Sequence, residues 1–134
     1  MTGEFRVEVR GQGMLEITRE VQVIVNEAQL EEGLCTVFVP HTSASLVIQE
    51  NADPSAQSDL EHWLARLVPE GDPLYGHTAE GPDDMPAHIK AAMLPTSLHI
   101  PVISGALQLG TWQGIYLFEH RTRPHARTVV AHLP

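Results

Sequence analysis

Apolar and polar side chains alternate from Phe5 to Arg10, with Phe5, Val7 and Val9 set against Arg6, Glu8 and Arg10. A period of two predicts a strand with one buried face. Gly11-Gln12-Gly13 reads as the turn after it. Val21, Ile24, Val25 and Ala28 then follow helical spacing, which predicts a helix capped by Thr18 and ended by Gly33. Leu34 to Val39 is apolar on both faces and predicts a central strand. Pro40-His41-Thr42-Ser43-Ala44 links it to another strand, Ser45 to Gln49. Asp53-Pro54 puts an acceptor at a cap and proline in the first turn. The helix it opens is expected to pack through Leu60, Trp63, Leu64 and Leu67 and to stop at Pro69-Glu70-Gly71-Asp72-Pro73. A loop runs on to Asp84, which is expected to cap a short helix from Pro86 to Leu94, terminated by Pro95. Strands follow at about Leu98 to Ile103, Trp112 to Glu119 and Arg127 to Leu133, and Pro101 places the first of them at an edge.

Short strands mixed with two or three helices, without regular alternation, predict a single α+β domain spanning residues 1–134. Its sheet is expected to be largely antiparallel, either open or folded as a sandwich. A chain of 134 residues, 43% hydrophobic, can fill one core. Cys35 is the single cysteine and lies in an apolar run, so a buried thiol is expected. The N-terminus has no basic segment followed by an apolar run, and no apolar stretch reaches bilayer length. The expectation is a cytoplasmic protein without a membrane partner. A formal charge of −9 argues against a nucleic-acid partner, which would need a basic face.

Charge does not exclude a small anionic ligand. Arg121, Arg123 and Arg127 lie close together near the C-terminus, and two readings stand: a solvated segment balancing an acidic surface, or a phosphate or carboxylate clamp. The chemistry concentrates between His77 and His88, His-Thr-Ala-Glu-Gly-Pro-Asp-Asp-Met-Pro-Ala-His, with two imidazoles and three carboxylates in a polar loop. Imidazole nitrogen suits zinc and related divalent metals, and Glu80, Asp83 or Asp84 can complete the shell. Asp84 has a structural reason as a helix cap; Asp83 has none. His41 sits at the end of a buried strand among hydroxyl residues, where a sheet holds a loop firmly. The Trp112 to Glu119 strand is apolar on both faces, and Glu119 shares a face with Gln113. A carboxylate there needs a partner: Arg121 or Arg127, a metal, or a subunit boundary.

Five segments in order carry a resemblance. Pro40-His41-Thr42-Ser43-Ala44-Ser45-Leu46, Glu50-Asn51-Ala52-Asp53-Pro54, His77 through Glu80, Asp84-Met85-Pro86-Ala87-His88-Ile89-Lys90 and Gly110-Thr111-Trp112-Gln113-Gly114-Ile115-Tyr116 resemble the YjbQ-like family. That family is often labelled secondary thiamine-phosphate synthase. The similarity runs from about Gly3 to Leu133 and departs at Gly81-Pro82-Asp83-Asp84. It implies an α+β homotrimer with a polar pocket near the subunit interface. It implies that His41, His77, His88 and Glu119 lie in that pocket, the three histidines as metal ligands. Ser43, Lys90, Trp112 and Gln113 are the corresponding substrate contacts, and His41, Glu119 and Arg121 the catalytic candidates.

Two functions remain open. One is a metal-dependent enzyme, with zinc or magnesium as cofactor, joining a pyrimidine diphosphate to a thiazole phosphate. There His41 or Glu119 would handle protons, and Arg121 or Lys90 would hold phosphate. The other is a non-catalytic trimer that binds a metal or a small metabolite.

Overall fold

The computed structural model describes all 134 residues. In chain order the strands are β1 (Thr2–Val9), β2 (Gly13–Glu16), β3 (Glu32–Phe38), β4 (Ala44–Glu50), β5 (Ser97–Ile103), β6 (Ala106–Leu107), β7 (Gln113–Glu119) and β8 (His125–His132). The helices are α1 (Thr18–Ala28), α2 (Pro54–Leu67) and α3 (Asp84–Met93). Five strands form one sheet in the order β1-β8-β3-β5-β6, and three form a second, β2-β7-β4. Every pairing is antiparallel. The α+β expectation holds, with three helices. No helix is long and apolar enough to cross a membrane.

The main core lies between the sheets and α1. Val21 and Val25 of α1 meet Val37, Val129, Ala131, Leu46 and Leu117 from both sheets. β7, with strands on both sides, is buried from Gly114 to Glu119. Its apolar character on two faces is therefore satisfied within one chain and needs no subunit boundary. β3 behaves differently. Cys35 and Val37 point into the core, whereas Leu34 and Phe38 stand 44% and 43% exposed on the outer face. The strand is central, but only its inner face is covered here. Burial also pushes the Cys35 thiol up to about 11, as suits an inert core sulfur.

Several local expectations are corrected. Thr18 does not cap α1; Ile17 holds that position without a side-chain bond. The Thr18 hydroxyl instead accepts the Ile115 N–H at 2.8 Å and donates to Glu16, pinning the helix start to β7. Gln29, in the left-handed region at φ 52°, ends α1, and Gly33 lies inside β3. The segment 13–16 continues past the turn as β2, a strand too short and too exposed to show a period. β6 is missed for the same reason. Asp53 does cap α2, accepting Ser55 N–H at 2.9 Å, but only Leu64 of the expected apolar set is fully buried, with Trp63 and Leu67 about half exposed. α3 begins earlier than expected, so Asp83 takes the cap position and Asp84 lies in the first turn. The edge expected at β5 is taken by the short β6, which pairs with it at Val102 and Ile103, and the Pro101 carbonyl accepts the Gln108 N–H at 2.8 Å on the same side.

Gly114, in the Gly-Thr-Trp-Gln-Gly segment, has a steric reason to be glycine. A Cβ there would come within 2.6 Å of the Glu16 carboxylate and 3.1 Å of Asn51 Cβ. Glu16 is itself tied to Thr18 and Asn51. Gly114→Ala is expected to lower stability by about 1–3 kcal/mol through overpacking. Urea unfolding checks this, and a loss under about 0.5 kcal/mol would show that the contact relaxes freely.

Candidate functional site

α3 presents Asp84 and His88 one turn apart on a single face, because helical neighbours at four positions stack. The preceding loop brings His77 to the same point, and ligand atoms of the three residues all lie within 4.8 Å of one another. Asp84 Oδ2 is 2.8 Å from His77 Nε2 and 3.2 Å from His88 Nε2. The two rings sit 5.3 Å apart. Asp84 is buried, whereas the His77 side chain is 54% exposed, so the cluster opens to solvent on one side.

The proton positions follow from what surrounds these groups. His88 Nδ1 lies 2.9 Å from the Thr42 carbonyl, which can only accept, so Nδ1 carries a proton. In the neutral ring, Nε2 then turns its lone pair toward Asp84 Oδ2. Two acceptors 3.2 Å apart require a cation between them, a proton or a metal ion. Ligands bonded to one tetrahedral ion at ~2.0–2.1 Å stand roughly 3.3 Å from each other, which matches this contact. A carbonyl behind a ligating imidazole is also the usual device for fixing its tautomer.

Arg121 supports the cluster from behind. Its guanidinium is buried and bonds Asp84 Oδ1 at 3.0 Å, Asp83 Oδ2 at 2.9 Å and the Glu80 carbonyl at 3.0 Å. Asp83 also accepts the Thr122 N–H at 2.9 Å. Burial works to raise the Asp83 carboxyl, but Arg121 and the Thr122 N–H hold it well below the usual carboxylate range. Arg121 is thus committed to carboxylates of its own chain rather than left free for a phosphate.

Glu119, at the end of β7, is 1% exposed and pairs with Arg127 of β8. Arg127 Nε donates to Oε1 at 2.7 Å and Nη2 to Oε2 at 2.6 Å, while Oε2 also accepts the His120 and Arg121 backbone N–H groups. The pair joins the two sheets. Arg127 Nη2 donates further to Ser43 Oγ at 2.8 Å. His41 stands beside this group, with Nε2 accepting the Thr128 N–H at 2.9 Å. It belongs to a different recess from His77 and His88 and is not one of their clustered ligands.

The remaining expected contacts scatter. Lys90 is 5% exposed, and burial lowers its pKa against the opposing pull of Glu70 and Asp83, so it is packed inside rather than presented to a substrate. Trp112 is exposed, and Gln113 Oε1 accepts the Gly110 N–H. Both lie at the opposite end of β7 from Glu119, roughly 20 Å away along six residues of strand. Within one chain they do not reach the histidines.

His120 is the residue that sequence reasoning passed over. Its Nε2 lies 2.9 Å from Ser45 Oγ, and its buried Nδ1 has no partner. Burial first, then the positive charges of Lys90 and Arg127, push its pKa down to about 3. The folded state therefore resists a proton that the unfolded chain takes up near pH 6.5. Stability from this group is complete above that pH and is lost as pH falls toward 3, at up to about 1.4 kcal/mol per pH unit. His120→Gln should flatten the pH dependence of unfolding free energy between pH 6 and 4 by roughly one proton. An unchanged slope would contradict it.

Comparison with known proteins agrees with this architecture. The family described as UPF0047 protein YjbQ-like matches residues 3–134. The chain is 51% identical to a UPF0047 protein of Synechocystis over 95% of its own length and 86% of the relative's. It is 41% identical to the UPF0047 protein YjbQ of Escherichia coli O157:H7, covering 95% and 92% of the two chains. Among solved structures, an uncharacterised conserved YjbQ/UPF0047-family protein of Clostridium acetobutylicum superposes with a TM-score of 0.89 at 37% identity, covering 98% of both chains. A hypothetical protein of Aeropyrum pernix gives the same TM-score at 32% identity, covering 98% and 96%. The sequence match and the shared fold, both end to end, make this chain a member of the YjbQ-like UPF0047 family.

Proposed function

We propose that His77, Asp84 and His88 hold one divalent metal ion and that the protein is a metal-dependent enzyme acting on a small phosphorylated metabolite. The observation that carries this reading is the convergence of His77, Asp84 and His88, whose ligand atoms all lie within 4.8 Å of one another. Two imidazoles and one carboxylate suit zinc better than magnesium, which prefers an oxygen shell and retains water. Three protein ligands would leave a coordination position for water or substrate, the ligand count of catalytic rather than structural zinc. When bound, such an ion would neutralise charge on a phosphoryl or diphosphate oxygen.

The chain's own residues set up that site. Thr42 fixes the His88 tautomer, and Arg121 fixes Asp84 so that one oxygen faces the ligand cluster. Glu119 holds Arg127 in place beside His41 and Ser43. We assign the reaction to the class the family label names, the joining of a pyrimidine diphosphate to a thiazole phosphate with release of diphosphate.

The test is an assay of diphosphate release from those two substrates, using protein stripped with a chelator and then reloaded with zinc. Release that needs both zinc and His77 supports the enzyme. Stoichiometric zinc without release, at any substrate concentration tried, leaves a non-catalytic metal- or metabolite-binding protein.

We also propose that the protein is a homotrimer. Leu34, Phe38 and Ile103 all lie on the outer face of the five-stranded sheet, where nothing in the chain covers them. Large apolar side chains exposed together on one sheet face suit an association surface. Light scattering at micromolar concentration should give three times the 14.7 kDa chain mass, and a monomer mass would refute the assembly.

A further inference from the structure

The loop that steadies His88 has a second face. Thr42 gives its carbonyl to the metal cluster, while its neighbours His41 and Ser43, with Thr96, Phe38 and Arg127, line a separate recess of about 470 Å³. The polar groups in that recess do not satisfy one another. A backbone N–H only donates, so the Thr128 N–H forces His41 Nε2 to be the acceptor, and the proton of the neutral ring sits on Nδ1. Arg127 Nη1 lies 3.5 Å from that Nδ1, and it too can only donate. Two donors therefore face each other with no acceptor between them.

The rest of Arg127 cannot relieve this. Its Nε and Nη2 are taken by Glu119 and Ser43. Ser43 Oγ accepts from Nη2, which leaves the hydroxyl proton free as a third donor. Burial first, and then the Arg127 charge, lower the His41 pKa while Glu119 opposes them, consistent with a neutral ring.

We propose that this recess binds the phosphoryl group of a small-molecule ligand, through His41 Nδ1–H, Arg127 Nη1 and the Ser43 hydroxyl. A phosphoryl group offers three acceptor oxygens to three converging donors. Arginine is suited to such a group even when one edge of its guanidinium is already paired. The recess and the metal cluster share one loop, since Thr42 both lines the recess and gives its carbonyl to His88. The identification rests on the phosphorylated-substrate reading given above, but the donor geometry is independent of any metal.

The experiment uses chelator-stripped full-length protein, so that failure of the metal reading does not touch it. Side-chain nitrogen NMR is expected to show His41 protonated on Nδ1 at pH 7. Inorganic phosphate should then shift the His41 Nδ1 and Arg127 Nη1 signals saturably, with acetate binding at least tenfold more weakly. His41→Glu keeps an acceptor for the Thr128 N–H and gives Arg127 a permanent carboxylate, so phosphate affinity should fall at least tenfold. A ring protonated on Nε2, an absent phosphate shift, equal acetate binding, or undiminished binding by His41→Glu would each overturn the proposal. If His41→Glu does not fold, the wild-type tautomer and shift map decide it alone.

Discussion

Glu119→Gln is expected to cost about 3 kcal/mol or more of stability, the scale of breaking a buried ion pair. The glutamine amide keeps the shape and one acceptor oxygen. However, it turns an NH2 toward a site where Arg127 Nε, Arg127 Nη2 and the His120 and Arg121 N–H groups all donate. It also leaves the Arg127 charge, 5% exposed, without a counter-ion. Because the pair connects β7 of one sheet to β8 of the other, the loss should appear as a lower global unfolding midpoint rather than local fraying. Urea denaturation of the mutant and the wild type at neutral pH measures it. A loss below about 1 kcal/mol, with activity reduced a hundredfold, would show instead that the carboxylate works on substrate.

That ion pair also shows where sequence reasoning stops. The need for a partner at Glu119 was visible, since a carboxylate on an aliphatic face cannot stay alone. The choice of Arg127 over Arg121 was not visible, because it depends on β8 leaving the sheet of β7 and pairing with β1 and β3. Nothing local in the sequence encodes that crossing. The same holds for Thr42, whose backbone carbonyl reaches His88 across 46 positions. By contrast, α2 was legible from Asp53-Pro54, and the pairing of His77 with His88 from the composition of their loop. Asp84 was legible in principle: it and His88 are four apart, which on a helix means one face. The sequence left it open beside Glu80 and Asp83, with a cap role as the alternative, because the start of α3 two residues before Pro86 was not visible. β2 escaped because four residues beginning with glycine, only one of them buried, carry no period.

His88→Ala is expected to abolish stoichiometric metal binding while the fold survives. The His88 side chain is 29% exposed, its hydrogen-bond partners are Asp84 and the Thr42 carbonyl, and its ring packs against that of His77, so its removal leaves no large cavity in the core. Losing one of three ligands leaves His77 and Asp84, a set too sparse to hold an ion against a competing chelator. Asp84 keeps its Arg121 partner and is not orphaned. Circular dichroism should match the wild type, and zinc affinity should fall by at least a hundredfold, beyond the loss that outer-shell changes cause. Wild-type metal content in this mutant would place the ion elsewhere.

A zinc titration of the metal-stripped protein at pH 7 decides whether His77, Asp84 and His88 form one metal site. Followed by calorimetry and by histidine side-chain NMR, it should saturate at one ion per chain. The Nε2 signals of His77 and His88 should move together while that of His41 stays in place. No saturable binding, or an ion that moves His41 and leaves His88 unchanged, would rule out a metal site at His77, Asp84 and His88.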